Sequence, residues 1–217
     1  MKNITTVLLL LSFFLFSCSK EKDEINQYQE TPNMSGLIVN NSFILSSTND
    51  TFQTNRAFLS EKYYVNNNSF PIKRFWIMDG EIEDTLSTCC GYYNYITPPR
   101  NMVLISMDSS AAQNGIFKYS RDSINNDFSI EIIKNLVFET TPNGLNKAIS
   151  RETIAHSSGS GTSYNSIDNA SLRIQNMGTV STKIEYIVNN FFGELIEGSF
   201  HGNVEDFIFI SCDSDCD

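Results

Sequence analysis

The stretch from Val180 to Val188 constrains this chain more than any other. Val180, Thr182, Ile184, Tyr186 and Val188 alternate with Ser181, Lys183 and Glu185. Side chains on a strand point to opposite faces in turn, so a period of two reads as a half-buried β-strand. Leu172 and Ile174 alternate with Arg173 and Gln175 just before it, with Gly178 separating the two runs. Asn189-Asn190 then reads as a turn, and Phe207 to Ile210 as a strand buried on both faces. Upstream, Leu37-Ile38-Val39 and Phe43-Ile44-Leu45 flank Asn40-Asn41, a hairpin spacing, because Asn tolerates the positive φ of a tight turn. Phe75 to Met78 before Asp79-Gly80, Met102 to Met107, Phe128 to Ile133 and Leu136 to Phe138 are further strand candidates. No amphipathic run of helical period exceeds three turns, and Ser109 to Asn114 offers one short helical turn.

Composition points the same way. Six Ala against 24 Asn and 27 Ser exclude a helical bundle. Twenty-three Ile, 16 Phe and 9 Tyr are too many β-branched and aromatic residues for a wholly disordered chain. The expectation is an all-β chain whose residues 35–211 form one antiparallel β-sandwich or barrel-like domain. A net charge of −10 argues against nucleic acid as a partner, since that needs a basic footprint.

The N-terminus carries the clearest address. Lys2 precedes an apolar run from Ile4 to Phe16, about 13 residues, short of the roughly 20 that span a bilayer. A basic start and a short apolar core make a secretory signal. The run ends at Leu15-Phe16-Ser17-Cys18. This resembles the lipobox of bacterial lipoproteins, which implies cleavage after residue 17 and acylation, palmitate included, of Cys18. Ser19-Lys20-Glu21-Lys22-Asp23-Glu24 is polar and charged, and residues 18–34 read as the lipidated Cys and a solvated tether. The same hexapeptide is similar to the acidic export signal of Bacteroidota lipoproteins. It implies a place on the outer membrane, lipid-anchored and exposed at the cell surface, with the membrane engaged through the anchor.

Two further segments extend this resemblance. The Ser35–Leu45 stretch is similar to the opening Val-Asn-Gly-x-x-Phe strand of small, flavobacterial-type Bacteroidota lipoproteins of unknown function, with Asn41 where those often carry Gly. Gly178–Tyr186, followed by Ile196-Glu197-Gly198-Ser199-Phe200-His201-Gly202, resembles their C-terminal signature, Gly-x-Val and then Ile-x-Gly-x-Phe-x-Gly. That family brings no established catalytic residues with it.

Few residues offer chemistry. His156 precedes the Ser-Ser-Gly-Ser-Gly-Thr-Ser loop at 157–163, and His201 lies at a strand end; both read as exposed or edge residues. Gly159 and Gly161 lack the following Lys and helix of a phosphate loop. No Gly-x-Ser-x-Gly elbow supplies a nucleophile, so no catalytic residue, cofactor or metal is assigned. Besides Cys18 there are Cys89, Cys90, Cys212 and Cys216. In an oxidising compartment thiols tend to pair, and four allow three connectivities. Bonding Cys89 to Cys90 is disfavoured, because adjacent Cα atoms lie about 3.8 Å apart, below the usual disulfide range of about 4.4–6.8 Å. Joining the 89/90 pair to the 212/216 pair is the better solution. A zinc site is the competing reading, but only Cys212 and Cys216 have its usual spacing. Residues 212–217 otherwise read as a solvated acidic tail, too short for a calcium loop.

Tyr63-Tyr64, Phe75-Trp76 and Tyr92, Tyr93 and Tyr95 could stack on sugar rings; the bland alternative is that they fill the core. Tyr92, Tyr93 and Tyr95 are the best ligand candidates, because Gly91, Pro98 and Pro99 place them near a loop. The leading functional reading is a non-enzymatic binding or structural module with an unidentified glycan or protein ligand. A glycan-binding accessory module of a polysaccharide-utilisation system is the runner-up. A hydrolase is the third reading.

Overall fold

The computed structural model describes residues 41–62, 72–82, 85–89, 92–110, 112–123, 125–157 and 166–211. All belong to one of the two compact units of the chain, Thr31–Asp217. Cys18, Cys90, Cys212 and Cys216 lie outside the described residues, as do the signal, the tether, the Leu37–Asn40 half of the first hairpin, Tyr63-Tyr64 and the Gly-Ser loop.

The described residues are all β, as the alternation predicts, with no helix among them. None therefore forms a helix long and apolar enough to cross a membrane. Where a short helical turn is expected, Ser109 and Ser110 form a turn, and the Ala112 amide donates to the Asp108 carbonyl at 3.0 Å. Six strands make the first sheet: β1 (Ser42–Leu45), β2 (Thr51–Gln53), β8 (Gly115–Ser120), β11 (Ile167–Gln175), β12 (Thr182–Asn190) and β13 (Leu195–Gly202), ordered β2-β1-β13-β12-β11-β8 and antiparallel throughout. Nine make the second: β3 (Arg56–Lys62), β4 (Ile72–Met78), β5 (Thr85–Cys89), β6 (Tyr92–Tyr93), β7 (Met102–Asp108), β9 (Phe128–Thr140), β10 (Asn146–His156), β14 (Val204–Asp206) and β15 (Ile208–Ser211). Their order is β14-β3-β4-β7-β9-β10-β6-β5-β15.

The two edges of the second sheet are consecutive in the chain. β14 pairs in parallel with β3, and β15 in parallel with β5, with only Phe207 between them. The Phe207 amide donates to the Leu59 carbonyl at 3.0 Å. The curled sheet thus meets itself along 204–211. Phe207–Ile210 is not the doubly buried strand that its composition suggests: Phe207 is buried, whereas Ile208 is 63% exposed. A seam strand shows one face to solvent, and the apolar run alone cannot signal it.

Two cores result. The first lies between the sheets and contains Phe43, Leu172, Ile184, Tyr186 and Phe200 from one and Phe75, Ile77, Val103, Ile105 and Ile130 from the other. The second lies on the opposite face of the curled sheet and contains Phe58, Trp76, Met78, Ile82, Tyr95, Met102, Ile133, Leu136 and Phe207. Alternation along β4 serves both, with Phe75 and Ile77 facing one and Trp76 and Met78 the other. That explains four consecutive buried residues in one strand. Along β9 the parity slips at Asn135, which has φ 54°, so Ile130 and Ile132 serve the first core and Leu136 the second.

Asparagine supplies the backbone freedom. Every non-Gly residue with positive φ among the described residues is Asn: Asn41, Asn49, Asn135 and Asn176. The β11–β12 turn takes Val180 out of its expected strand. It is 85% exposed, and the strand begins at Thr182.

The C-terminal glycine signature has a packing cause. Tyr186 sits opposite Gly198, and its ring lies where a Cβ on Gly198 would be. Only a residue without a side chain fits beneath it. Tyr186 is fully buried, and its hydroxyl has no hydrogen-bond partner. Burial alone pushes that phenol's pKa far upward.

Candidate binding surface

The tyrosines expected to hold a ligand are divided by the fold. Tyr95 is 6% exposed in the second core, stacked on Tyr93 at 5.4 Å and meeting Phe138 edge-on. Its phenol is pushed up, first by burial and then by Tyr93. Its ring faces are occupied, so it serves packing. Tyr93 is half-buried against the same core, and Tyr92 is half-buried with the Lys147 ammonium 5.4 Å from its ring centre. Phe75 and Trp76 are likewise core residues. Cys89 ends β5.

The two histidines are apart. His201 is exposed and shares a 2.8 Å hydrogen bond with the Ser181 hydroxyl. His156 is half-buried at the end of β10, with Nδ1 unpartnered. No group of three or more His, Cys, Asp or Glu with metal-ligand geometry occurs among the described residues. The buried Glu185 on the outer face of the first sheet is neutralised by Lys183 at 2.9 Å and Arg173 at 3.3 Å, so it supports the sheet.

The most pronounced surface feature is the β12–β13 hairpin tip. Phe191 is 57% and Phe192 83% exposed, and their rings meet edge-on at 5.9 Å. The turn that carries them is tightly built. The buried Asn190 side chain accepts from the Phe192 amide at 3.0 Å and the Glu194 amide at 2.9 Å. The Asn190 backbone amide donates to the Glu194 carbonyl at 2.9 Å, and the Gly193 amide returns to the Asn190 carbonyl at 3.0 Å. Gly193 has φ 81°, a conformation that favours glycine. The Phe191 amide donates to the Ser166 carbonyl at 2.7 Å, tying the tip to the start of β11.

Charged groups frame the rings. The Arg121 guanidinium lies 4.6 Å from the Phe191 ring centre and 3.6 Å from the Asp168 carboxylate. On the other side the Glu194 carboxylate accepts from the Ser47 amide at 2.9 Å and the Ser46 hydroxyl at 3.3 Å. Burial works to raise its pKa, but hydrogen bonds from Ser47 and Ser46 outweigh it and hold the carboxyl below its ordinary range. Asn189-Asn190, read from sequence as the turn, is still strand, and Asn190 is the residue that organises the tip. Phe191-Phe192 is not among the ligand candidates that the sequence suggests. The available signal was two consecutive large apolar residues directly before a glycine, which strand alternation does not explain.

Two open grooves also lie among the described residues. One, of about 540 Å³, lies among Lys73, Asn114, Thr179, Val180 and Asp206. The other, of about 690 Å³, lies among Phe52, Pro99, Arg100, Val137 and Phe138. No protein-family model, curated protein or solved structure matches this chain.

Proposed function

We propose that this protein is a lipid-anchored, surface-displayed β-domain that acts as a non-enzymatic binding or structural module. The observation that carries the binding role is the hairpin tip. Two phenylalanines held in solvent by a hydrogen-bonded turn cost hydration free energy and add nothing to either core. Rigid aromatic anchors of this kind lose little entropy on binding. The anchor is the expected acyl-Cys18, with the export reading of residues 19–24 placing the domain on the outer membrane's cell-surface side.

A glycan ligand, within an accessory module of a polysaccharide-utilisation system, is the second reading. Its support is an apolar ring face beside Arg121 and Asp168, which combines stacking with hydrogen-bonding groups. Detergent-solubilised full chain is to be applied to a glycan array beside a Phe191→Ser/Phe192→Ser variant. Retention that the variant loses supports the glycan reading, and equal retention by both removes the tip from it. Separately, Cys18→Ala should leave the membrane fraction, and persistence after carbonate washing contradicts the anchor. Protease added to intact cells should remove the domain, and full protection contradicts surface display.

A further inference from the structure

We propose that the groove lined by Arg100 binds an acidic oligosaccharide. Its volume, about 690 Å³, falls within the roughly 300–1,000 Å³ of small-ligand clefts. Its apolar floor is drawn from both sheets. Phe52 of β2 packs against the first core, Phe138 of β9 packs against the second, and Val137 is 47% exposed.

Arg100 is mounted on a fixed loop. The Asp79 carboxylate accepts from the Arg100 amide at 2.7 Å, the Asn101 amide at 2.8 Å and the Asn101 side-chain amide at 3.2 Å. The Arg100 carbonyl accepts from the Leu136 amide at 2.8 Å. That bond joins the loop to the irregular step in β9, where Asn135 has φ 54°. A positive φ at a non-Gly residue costs energy, and such positions cluster at functional sites.

The charge balance carries the inference. The chain has six arginines. Arg56 is paired with Glu81 and Glu205, Arg121 with Asp168, Arg151 with Glu131 and Arg173 with Glu185. The Arg74 guanidinium donates to the Ser106 hydroxyl. The Arg100 guanidinium alone has no partner among the described residues, in a chain whose net charge is −10. Asp79 is taken up by its three donors. Glu152 is held by the Lys134 ammonium at 3.0 Å and the Asn135 side-chain amide at 3.0 Å. Asn101 and Asn135 thus spend their side-chain N–H groups on acids, and their amide oxygens have no partner among the described residues.

The groove therefore offers a free cation, two free acceptors and an apolar floor. A planar guanidinium matches an anionic group that presents two oxygens together. The acceptors call for hydroxyl donors, and the floor suits the apolar face of a sugar ring. An anionic sugar brings all three, its anion being a uronate carboxylate or a sulfate ester. The site shares no residue with the hairpin tip and does not depend on it.

The detergent-solubilised full chain is to be titrated by calorimetry with tetragalacturonate, a sulfated galactan tetrasaccharide, neutral galactotetraose and tetraglutamate. Binding of at least one anionic sugar, and none of the neutral one, is expected; the sugar that binds identifies the anion. Arg100→Gln should weaken that binding by about tenfold or more and leave the melting temperature unchanged, since its guanidinium holds nothing in the fold. Val137→Glu, which adds a negative charge to the floor, should abolish binding. The Phe191→Ser/Phe192→Ser chain should bind as the wild type does. Equal affinity for galactotetraose, tetraglutamate binding as tightly as the sugars, or no binding of any probe overturns the proposal. So does undiminished binding by Arg100→Gln or Val137→Glu. Binding lost in the tip variant and kept in Arg100→Gln assigns the ligand to the tip and overturns the groove. Should Arg100→Gln lower the melting temperature, Val137→Glu decides alone.

Discussion

The two cores of this molecule are built by different rules. The first is fed by strands that succeed one another in sequence, β11, β12 and β13, paired antiparallel through short turns. It is rich in Ile, Val and Leu, and β12 contributes Ile184, Tyr186 and Val188 by simple alternation, while β11 alternates from Ala170 onward after a bulge that follows Ile167. The second is smaller and draws on Phe, Trp, Tyr and Met. Its cover is completed by Phe207, whose ring meets Phe58 at 6.2 Å and Trp76 at 5.9 Å, both edge-on. Phe207 lies between two parallel pairings with strands far away in the chain. Local pattern builds one core, and long-range topology closes the other. β4 contributes to both, so neither is free to melt alone.

Truncation tests that coupling with the largest expected effects. Phe200→Ala in the first core and Phe207→Ala in the second should each cost about 3–5 kcal/mol. Trp76, the single tryptophan, reports on the second core, while far-ultraviolet circular dichroism reports on both sheets. Coincident thermal transitions by the two probes are expected in both variants. A tryptophan transition preceding the loss of β signal in Phe207→Ala would show the cores to be separable.

Smaller effects sharpen the account of the first core. Gly198→Ala forces a methyl into the Tyr186 ring and should destabilise by about 1–3 kcal/mol. Tyr186→Phe removes a buried hydroxyl that has no partner and should stabilise by about 1 kcal/mol. Chemical denaturation of both variants checks the opposite signs. A destabilised Tyr186→Phe would mean that the hydroxyl is satisfied.

The smallest effect concerns the hairpin tip. Glu194 has a depressed pKa in the folded chain, so its contribution is present above the ordinary carboxylate value of about 4.3 and lost as pH falls through the folded value. Amide exchange at residues 191–195 should quicken on acidification below that range, relative to the sheet. Glu194→Gln should show little of this pH dependence.

Much of the sheet structure is legible in the sequence. Leu172, Ile174, Ile184, Tyr186 and Val188 announce their strands by alternation, but the opposite face is not the wet one that alternation implies: Ser171, Glu185 and Ile187 on it are also buried. The run Phe75–Met78 announces a strand as well, but not that its two faces meet different cores. Parity alone puts Val180 in the strand, whereas the positive φ at Asn176 and Gly178 begins a turn that carries it outward. Nothing local marks 204–211 as a seam, since its partners are β3 and β5, more than one hundred residues away. The Gly and Pro flanking Tyr95 signal a loop aromatic, whereas its burial is decided by Phe138, 43 residues on in the chain, together with Tyr93 two residues before it. At the candidate site, the Asn190 side chain is what makes Phe191 and Phe192 a rigid tip, and hydrogen bonds of that kind leave no periodic trace.

Closure of the second sheet by 204–211 is most directly tested by amide hydrogen exchange on the full chain. Peptides covering 204–211 are expected to exchange at least about a thousandfold slower than an unstructured chain, together with those of β4 and β7. Exchange of 204–211 at the rate of a free tail, while β4 and β7 stay protected, would contradict the seam.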